Sequence, residues 1–221
     1  MEEVVKILSI EQLTHDVKRY RFEKPKGYHF EPGQATEVSI NQEKWKEERR
    51  PFTFTSLNEW PFLEFTIKSY RDHDGVTHAL DNLRAGDELI IRDVWGAIAY
   101  EGEGCFIAGG AGITPFLAIF RQLHKSKKID GNRLYFSNKT ESDIILRDEL
   151  TTMLGDNARF ILTRSSAPGI EKGYIDKEFL QKNVSDFSKP FYVCGPDKMV
   201  ESISNDLRPL GASPEAIVFE Q

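Results

Sequence analysis

The stretch Gly109-Gly110-Ala111-Gly112-Ile113-Thr114-Pro115 decides the fold of this chain. An apolar run from Cys105 to Ala108 precedes it, and apolar residues at helical spacing follow from Phe116 to Leu123. This order predicts a tight turn from a buried strand into a helix, with Thr114 capping the helix and Pro115 in its first turn. Small residues let a ligand approach the backbone, and the N–H groups of a helix start attract an anion such as a dinucleotide pyrophosphate. Taken alone, the stretch fits a plain tight turn equally well.

A second turn of the same kind follows the β-branched and aromatic run Phe191-Tyr192-Val193. Cys194-Gly195-Pro196 forms the predicted corner, with Pro196 at the first helical position and Asp197 beside it. In a parallel sheet both turns lie at the carboxyl ends of their strands, where ligands bind in doubly wound folds. The sequence therefore predicts one crevice between the two turns, with the thiol of Cys194 projecting into it.

The chain divides into two halves with different patterns. Up to about residue 100, short runs of strand-forming residues alternate with turn signals, which predicts a small antiparallel β-barrel. The predicted strands are Val4–Leu8, Val17–Phe22, Ala35–Ile40, Phe62–Ile67 and Glu88–Ile91, with one helix after Gly75. Beyond residue 104, strands alternate with helices, which predicts βαβ units and a parallel sheet. We therefore predict two domains, residues 1–101 and residues 102–221.

Composition and charge narrow the class of protein. The 221 residues are 39% hydrophobic and 29% charged, as in ordinary globular chains, and the net charge of −6 argues against nucleic-acid binding. No apolar run is long enough to span a membrane and no signal-peptide pattern opens the sequence, so we expect a cytoplasmic protein without a membrane partner. The cysteines, Cys105 and Cys194, are too few for an iron–sulfur cluster, and the histidines lack metal-ligand spacing. We expect no metal site and, because the cysteines fall at opposite ends of the sheet, no disulfide.

The segment Arg49–Ser56 places cations, aromatic rings and hydroxyls in one extended run. Side chains alternate along a strand, so Arg50 and Phe52 face one way and Pro51 and Thr53 face the other. An arginine can bind a phosphate, an aromatic ring can pack on a flat cofactor, and a hydroxyl can bond a ring nitrogen. The alternative is an ordinary barrel strand with a surface arginine.

Five motifs together resemble those of the ferredoxin–NADP reductase family. Arg50-Pro51-Phe52-Thr53 is similar to that family's flavin-binding motif, in which an arginine is followed by one residue, an aromatic residue and Ser or Thr. Pro32-Gly33-Gln34, Gly75-Val76-Thr77, the stretch Gly109–Pro115 and the segment Cys194–Met199 occur in the family's order. The resemblance covers essentially the whole chain. It implies a barrel that binds FAD, in preference to FMN, and a second domain that binds NADPH or NADH.

The resemblance also implies roles for individual residues. Arg50 would bind the flavin phosphates, Phe52 would stack on the isoalloxazine ring, and Thr53 would hydrogen-bond its N5 atom. The remaining implied flavin contacts are Pro51, Phe65, Thr66, Ile67, Lys68, Gly75, Val76 and Thr77. The implied dinucleotide contacts are Gly110, Gly112, Thr114, Pro115, Cys194, Gly195 and Pro196.

Two departures from the family pattern bear on catalysis. Phe52 stands where the family usually has a tyrosine, which keeps the stacking surface and removes a hydroxyl. The chain ends Val218-Phe219-Glu220-Gln221, whereas plant-type members end in an aromatic residue that shields the flavin. Either Phe219 or Glu220 could be the residue that reaches the flavin ring. The candidate catalytic residues are Thr53, Cys194 and Glu220.

A hydroxyl–arginine pair, Thr163-Arg164, follows the predicted strand Phe160–Leu162. It resembles the Ser-Arg pair with which NADP-using members of the family bind the 2′-phosphate. The alternative is a polar loop that leads to Pro168-Gly169. The pair predicts binding of NADPH if Arg164 reaches the dinucleotide.

The resemblance implies an oxidoreductase in which hydride passes from NAD(P)H to a flavin. A flavin accepts two electrons at once and can release them singly, so we expect a reductase of a separate carrier, flavodoxin or ferredoxin. A reductase of free flavin, the reductase component of an oxygenase and a non-enzymatic redox or nucleotide sensor remain as alternatives. A group of cations before the flavin strand predicts a docking surface for an acidic carrier, unless neighbouring glutamates balance it. This group comprises Lys44, Lys46, Arg49 and Arg50.

Overall fold

Two six-stranded sheets, one after the other along the chain, form the framework. The computed structural model describes residues 2–70, 75–96, 98–212 and, through their backbone alone, 217–219. The first sheet is antiparallel throughout, with the strand order β4-β3-β6-β1-β2-β5. Its strands are β1 (Glu3–Thr14), β2 (Val17–Glu23), β3 (Ala35–Ile40), β4 (Arg50–Thr53), β5 (Phe62–Lys68) and β6 (Glu88–Trp95), and helix α1 (Val76–Asp81) lies between β5 and β6.

The first sheet closes into a barrel where the chain leaves β4. The strand order leaves β4 and β5 at the two edges, and the N–H of Thr55 donates to the carbonyl oxygen of Glu64 in β5, at 2.8 Å. Because this bond joins the edges, the sheet encloses a core that includes Phe22, Phe54 and Phe65, all fully buried. The prediction of an antiparallel barrel is confirmed.

Strand β1 is longer than its apolar pattern predicts. The sequence indicated Val4–Leu8, whereas the strand continues to Thr14 by pairing with β2. In this extension Glu11 lies opposite Arg19, and the guanidinium donates to the carboxylate at 2.5 Å. Backbone pairing with β2 therefore maintains the strand without an alternating apolar face.

The Pro32-Gly33-Gln34 motif positions the start of β3. Gly33 has a φ of +96°, in the left-handed region that favours glycine. A Cβ at this position would overlap the carbonyl oxygen of Ile98. The positive φ and the lack of space for a Cβ both explain why this residue is glycine. The lack of space also shows that the motif packs against Ile98, in the segment that leads out of the barrel.

The second sheet is parallel, with the strand order β10-β9-β8-β7-β11-β12. Its strands are β7 (Cys105–Gly109), β8 (Arg133–Asn138), β9 (Ala158–Leu162), β10 (Glu171–Lys172), β11 (Phe191–Cys194) and β12 (Ile217–Phe219). The helices are α2 (Thr114–Lys125), α3 (Arg147–Leu154), α4 (Lys177–Asn183) and α5 (Asp197–Leu207). The predicted alternation of strands and helices is confirmed.

Helices cover both faces of the parallel sheet. Phe106 of β7 packs into the cluster that contains the buried faces of α2 and α3, whereas Ile107 packs into the cluster with α4 and α5. Val17 and Ile98 of the first half belong to the same cluster as Phe106. The two halves therefore share part of one hydrophobic core. Among the described residues, no helix is long and apolar enough to cross a membrane.

The turn after β7 differs from its prediction in one respect. A 3-10 helix, Gly110–Ile113, connects the strand to α2, and Thr114 is the first residue of α2 with helical angles of −59° and −44°. The N-cap is Ile113, whose side chain cannot cap the helix, so the prediction that Thr114 caps the helix is wrong. Pro115 does lie in the first turn. At the second turn Pro196 precedes α5 as its N-cap, and Asp197 is the first helical residue instead.

Candidate active site

A crevice of about 640 Å³ lies between the barrel and the carboxyl ends of the parallel strands. Its volume is within the range of small-molecule and cofactor sites. Most of the predicted site residues line it, which brings residues far apart in the sequence to one place. These residues are Pro51, Phe52, Thr53, Thr66, Ile67, Lys68, Thr77, Gly110, Gly112, Thr114, Thr163, Cys194, Gly195 and Pro196.

The barrel wall of the crevice is built by β4 and β5. Phe52 is half-buried, with its ring centroid 5.9 Å from that of Phe65, so one side of the ring rests on the barrel core. Thr53 is buried, at 5% exposure. An aromatic face beside a hydroxyl is the arrangement that the flavin-binding motif predicts.

A charged pair stands at the barrel edge of the crevice. Lys68 Nζ lies 3.0 Å from Oδ2 of Asp16, and both residues line the crevice. Burial raises the pKa of Asp16, but the hydrogen bond and charge of Lys68 outweigh it and hold the pKa below its usual range. Asp16 is therefore a carboxylate at neutral pH. Sequence reasoning missed it because it lies in the tight turn between β1 and β2, outside every recognised motif.

The two glycine turns pack directly against each other. A Cβ on Gly112 would overlap the carbonyl oxygen of Cys194, and a Cβ on Gly195 would lie 3.1 Å from the backbone of Gly109. These glycines are required for contact between the turns. Gly110 differs, because it has a φ of +54° and a Cβ there would meet no described atom within 4 Å. The open space above Gly110 is where a ligand can approach the backbone.

The two cysteines occupy opposite ends of adjacent strands. Cys194 pairs in register with Ala108 at the crevice end, whereas Cys105 pairs with Phe191 at the other end. No disulfide joins these two described residues, as the sequence predicted. Burial raises the pKa of the Cys105 thiol, which is therefore uncharged at neutral pH.

Residues at the ends of β8 and β9 complete the crevice on its far side. Asn138 ends β8, and its carbonyl oxygen accepts hydrogen bonds from the N–H and the hydroxyl of Thr163, at 2.9 and 3.3 Å. Ser137 and Lys139 line the same wall. Sequence reasoning missed all three. These residues follow the apolar run of β8 in the same way as the glycine turn follows β7. The rule that ligands bind at the carboxyl ends of parallel strands would therefore have located them.

Six predicted residues lie outside the crevice lining. Phe65 and Val76 are buried in the barrel core, and Pro115 is buried in the first turn of α2. Gly75 is the N-cap of α1, and Arg164 is an exposed residue. Arg50 is exposed as well, with Nη2 located 3.7 Å from Glu48. Glu220 lies outside the described residues; β12 ends at Phe219, in register with Val193 next to Cys194.

Comparison with known proteins identifies both halves. Residues 4–100 match the model of the oxidoreductase FAD-binding domain, and residues 106–205 match that of the oxidoreductase NAD-binding domain. An NADH-cytochrome b5 reductase 2 of Coccidioides immitis is 31% identical over 90% of this chain and 67% of its own length. The chain belongs to the ferredoxin–NADP reductase-like family. Members of this family are oxidoreductases that bind FAD and NAD(P)H.

Other members of the ferredoxin–NADP reductase-like family agree in sequence or in fold. The ferredoxin–NAD(P)+ reductase component of the naphthalene 1,2-dioxygenase system of Pseudomonas putida is 24% identical over 96% of the chain and 66% of its own length. The crystal structure of a Neisseria gonorrhoeae ferredoxin NADP+ reductase has a TM-score of 0.86 at 22% identity, covering 99% of this chain and 98% of that chain. The chain spans about two thirds of the length of the curated relatives it matches.

The residues of the crevice fit the two cofactors of the ferredoxin–NADP reductase-like family. On the barrel side, Phe52 and Thr53 offer a flat apolar face and a hydroxyl to a flavin ring. On the sheet side, the open backbone at Gly110 and the start of α2 suit a pyrophosphate. The two walls face one space, so a flavin and a nicotinamide held by them would meet there.

Proposed function

We propose that this protein accepts hydride from NAD(P)H on bound FAD and passes the electrons to a separate one-electron carrier. One observation carries the proposal: a single crevice is lined on one wall by Phe52 and Thr53 and on the other by Gly110, Gly112 and Cys194. Hydride transfer requires two rings held in contact, which two facing walls provide. Under this proposal residues 1–101 are the flavin-binding domain and residues 102–221 the NAD(P)-binding domain.

The protein contributes position and electrostatics to the reaction. The flavin, when bound, takes up two electrons as hydride and releases them one at a time. Phe52 would supply the surface on which the ring rests, and the buried hydroxyl of Thr53 would hydrogen-bond the ring. Arg50, which is exposed and lies near Glu48, would bind the flavin phosphates together with Thr77 at the start of α1. Lys68, paired with Asp16, adds a positive charge to this wall.

The sheet wall orients the dinucleotide. The turn Gly110–Ile113 and the start of α2 bind its pyrophosphate, and Cys194 packs beside the nicotinamide. Arg164, next to Thr163 at the end of β9, binds the 2′-phosphate when the dinucleotide is NADPH. With this arginine NADPH would be accepted as well as NADH.

The acceptor we propose is a separate carrier with a single redox centre, flavodoxin or ferredoxin in the first place. The resemblance to the dioxygenase reductase component of Pseudomonas putida favours a second candidate, the supply of electrons to an oxygenase. The cation group before β4 supports neither of these two candidate acceptors. Lys46 lies 2.9 Å from Glu43, and Arg49 lies 3.5 Å from both Glu2 and Glu37. Glutamates thus balance these charges, and the docking surface must be located by experiment.

The proposed compartment is the cytoplasm. The side chains of Cys105 and Cys194 are both buried thiols, the form in which a reducing compartment keeps cysteine.

The proposal is tested with the purified protein after desalting. We expect a yellow protein whose released flavin is FAD and whose spectrum bleaches on anaerobic titration with NADPH or NADH. Ferredoxin, flavodoxin, cytochrome b5 and free FMN are then compared as acceptors by steady-state rate. Loss of the flavin on desalting together with rapid reduction of free FMN would favour the free-flavin reductase. If no acceptor supports NAD(P)H oxidation, the protein is a sensor and the proposal fails.

A further inference from the structure

A buried side chain with no hydrogen-bond partner faces the crevice. Asn138, the last residue of β8, is 5% exposed and lines the crevice wall. Neither Oδ1 nor Nδ2 of its carboxamide has a hydrogen-bond partner among the described residues. The other orphaned side-chain atoms of the described chain are single hydroxyls, on Ser69 and Ser204. Burying a polar group without a partner is unfavourable and rare in native proteins, so this amide requires an explanation.

A second asparagine in the same domain shows the usual arrangement. Asn132, just before β8, is fully buried, and its Oδ1 accepts from the N–H of Gly104 at 3.2 Å. Its Nδ2 donates to the hydroxyl of Tyr100 at 3.2 Å and to the carbonyl of Ile129 at 3.0 Å. The protein thus satisfies one buried amide completely and leaves the other, at the crevice, without a partner in the part of the chain that the structure describes.

The order of the strands indicates which part of a ligand lies over Asn138. The carboxyl ends of β11, β7, β8 and β9 are adjacent in that order, and neighbouring strands are about 4.8 Å apart. The proposed function, on which this inference rests, has the nicotinamide at Cys194 on β11 and the pyrophosphate at the turn after β7. The dinucleotide then continues over β8, so Asn138 meets its adenosine half beyond the pyrophosphate.

The chemistry of the amide selects a hydroxyl. A carboxamide presents a donor and an acceptor side by side, and a hydroxyl can pair with both because it donates and accepts. A phosphate oxygen only accepts, so it would pair with Nδ2 and leave Oδ1 without a partner, and the adenine base lies further from the pyrophosphate than the ribose does. We propose that the carboxamide of Asn138 binds a hydroxyl of the adenosine ribose of NAD(P)H. The orphaned atoms are then satisfied when the dinucleotide is bound.

The test uses the flavin-loaded protein, so that the flavin site is filled, and calorimetric titration with ADP, 2′-deoxy-ADP and 3′-deoxy-ADP. We expect the parent to bind one of the two deoxynucleotides about tenfold more weakly than ADP. Asn138→Leu should bind ADP about tenfold more weakly than the parent does. It should no longer distinguish ADP from that deoxynucleotide, because the hydroxyl and the amide act as a pair. The measurements on the parent need no variant and stand even if Asn138→Leu does not fold.

Thermal unfolding without nucleotide supplies the matched control. Asn132→Leu removes satisfied hydrogen bonds and should lower Tm by several degrees, whereas Asn138→Leu removes none and should leave Tm unchanged or raise it. A Tm for Asn138→Leu as low as that of Asn132→Leu would mean that the amide is already bonded, and the proposal would be rejected. Equal affinity of the parent for all three nucleotides would reject it too. If NADH and NADPH still reduce the flavin in that case, the proposed function survives; if neither does, both fail.

Discussion

Arg121 of helix α2 donates from Nη1 to Oε1 of Glu64 in strand β5, at 2.7 Å, and so joins the two domains through a buried ion pair. Both side chains are almost completely buried, at 5% and 0% exposure. Arg121 also binds Glu149 of α3 with two N–H groups, at 2.6 and 2.9 Å, and donates to the carbonyl oxygen of Thr55. Arg21 completes the group with a bond of 3.0 Å to Glu64. The helix that follows the turn after β7 is thereby fixed to β5, the strand that carries Thr66 of the barrel wall of the crevice.

Removing one partner of this pair should be costly. Arg121→Met leaves Glu64 buried with less compensation, and we expect the free energy of unfolding to fall by about 3–5 kcal/mol. The matched control is Lys125→Met, because Lys125 forms an exposed ion pair with Glu59 from the same helix across the same boundary. Lys125→Met should lower the free energy of unfolding by less than about 1 kcal/mol. Urea unfolding curves of both variants measure the two losses in free energy of unfolding. Equal losses would contradict the expectation that the buried ion pair contributes more than the exposed one.

The same pair predicts how stability responds to acid. Burial raises the pKa of Glu64, but the charge and hydrogen bonds of Arg121 outweigh it and hold the pKa below its usual range. A group whose pKa is lowered by folding stabilises the fold above its unfolded pKa, about 4.3 for Glu, and this stability is lost as the pH falls through the folded pKa. We therefore expect the free energy of unfolding to decline below about pH 4.3. Glu64→Gln should flatten that decline relative to Glu59→Gln in urea titrations from pH 7 to pH 3; identical slopes would exclude Glu64 as the source.

The contact between the glycine turns predicts unequal effects of adding one methyl group. Gly112→Ala places its Cβ on the carbonyl oxygen of Cys194, so the turns must separate, at a cost of about 1–3 kcal/mol. Gly110→Ala meets no described atom within 4 Å and bears only the cost of a left-handed residue, about 1 kcal/mol. Thermal unfolding without nucleotide should rank Gly112→Ala as the less stable variant. The reverse order would show that the turns do not pack as described.

Arg164 should govern the choice between the two dinucleotides. Under the proposed function its guanidinium pairs with a phosphate that NADPH carries and NADH lacks, so Arg164→Ala should raise KM for NADPH by about 10- to 100-fold and leave KM for NADH nearly unchanged. Arg159→Ala serves as the control, because Arg159 lies on β9, the strand that Arg164 follows, and its guanidinium is paired with Glu171 at 2.7 Å. Steady-state kinetics with both dinucleotides provide the measurement. An equal rise in both KM values for Arg164→Ala would remove this role.

Cys194 should affect hydride transfer more than flavin binding. Cys194 lines the crevice at the end of β11, and under the proposed function its sulfur packs beside the nicotinamide. We therefore expect Cys194→Ala to slow flavin reduction about tenfold with flavin content unchanged. Cys105→Ala, at the opposite end of the neighbouring strand, should reduce the flavin at the parent rate. Anaerobic stopped-flow reduction measures both. An unchanged rate in Cys194→Ala would leave the residue with a structural role alone.

Local sequence patterns predicted those structural elements that depend on neighbouring residues in the sequence. The barrel, the parallel sheet and both glycine turns follow from apolar runs and turn residues, and the wall formed by Phe52 and Thr53 follows from a short motif. The prediction that Thr114 caps α2 is wrong because the 3-10 helix Gly110–Ile113 precedes α2 and makes Ile113 its N-cap. That 3-10 helix packs through Gly112 against Cys194, a residue distant in sequence. Strand alternation also separates two predicted flavin contacts, since Phe65 faces the core while Thr66 lines the crevice.

Residues whose partners are distant in sequence could not be predicted. Arg121 follows Phe120 within an amphipathic helix and, by composition, belongs on a solvated face. Only the tertiary structure brings it to Glu64 and Glu149, which are 57 and 28 residues away in sequence. The orphaned amide of Asn138 is likewise invisible in the sequence, because the absence of a partner is a property of the folded surroundings.

Because of the ion pair between Arg121 and Glu64, neither domain can readily be replaced by the corresponding domain of a related protein. A chimera that combined this barrel with a nucleotide-binding domain lacking an arginine at the position of Arg121 would bury the carboxylate of Glu64 beside an apolar helix. The reverse chimera would leave the arginine facing a barrel without its acid. Recombination at the domain boundary would therefore succeed only between parents that carry both charges, and the two halves of this chain are constrained to change together.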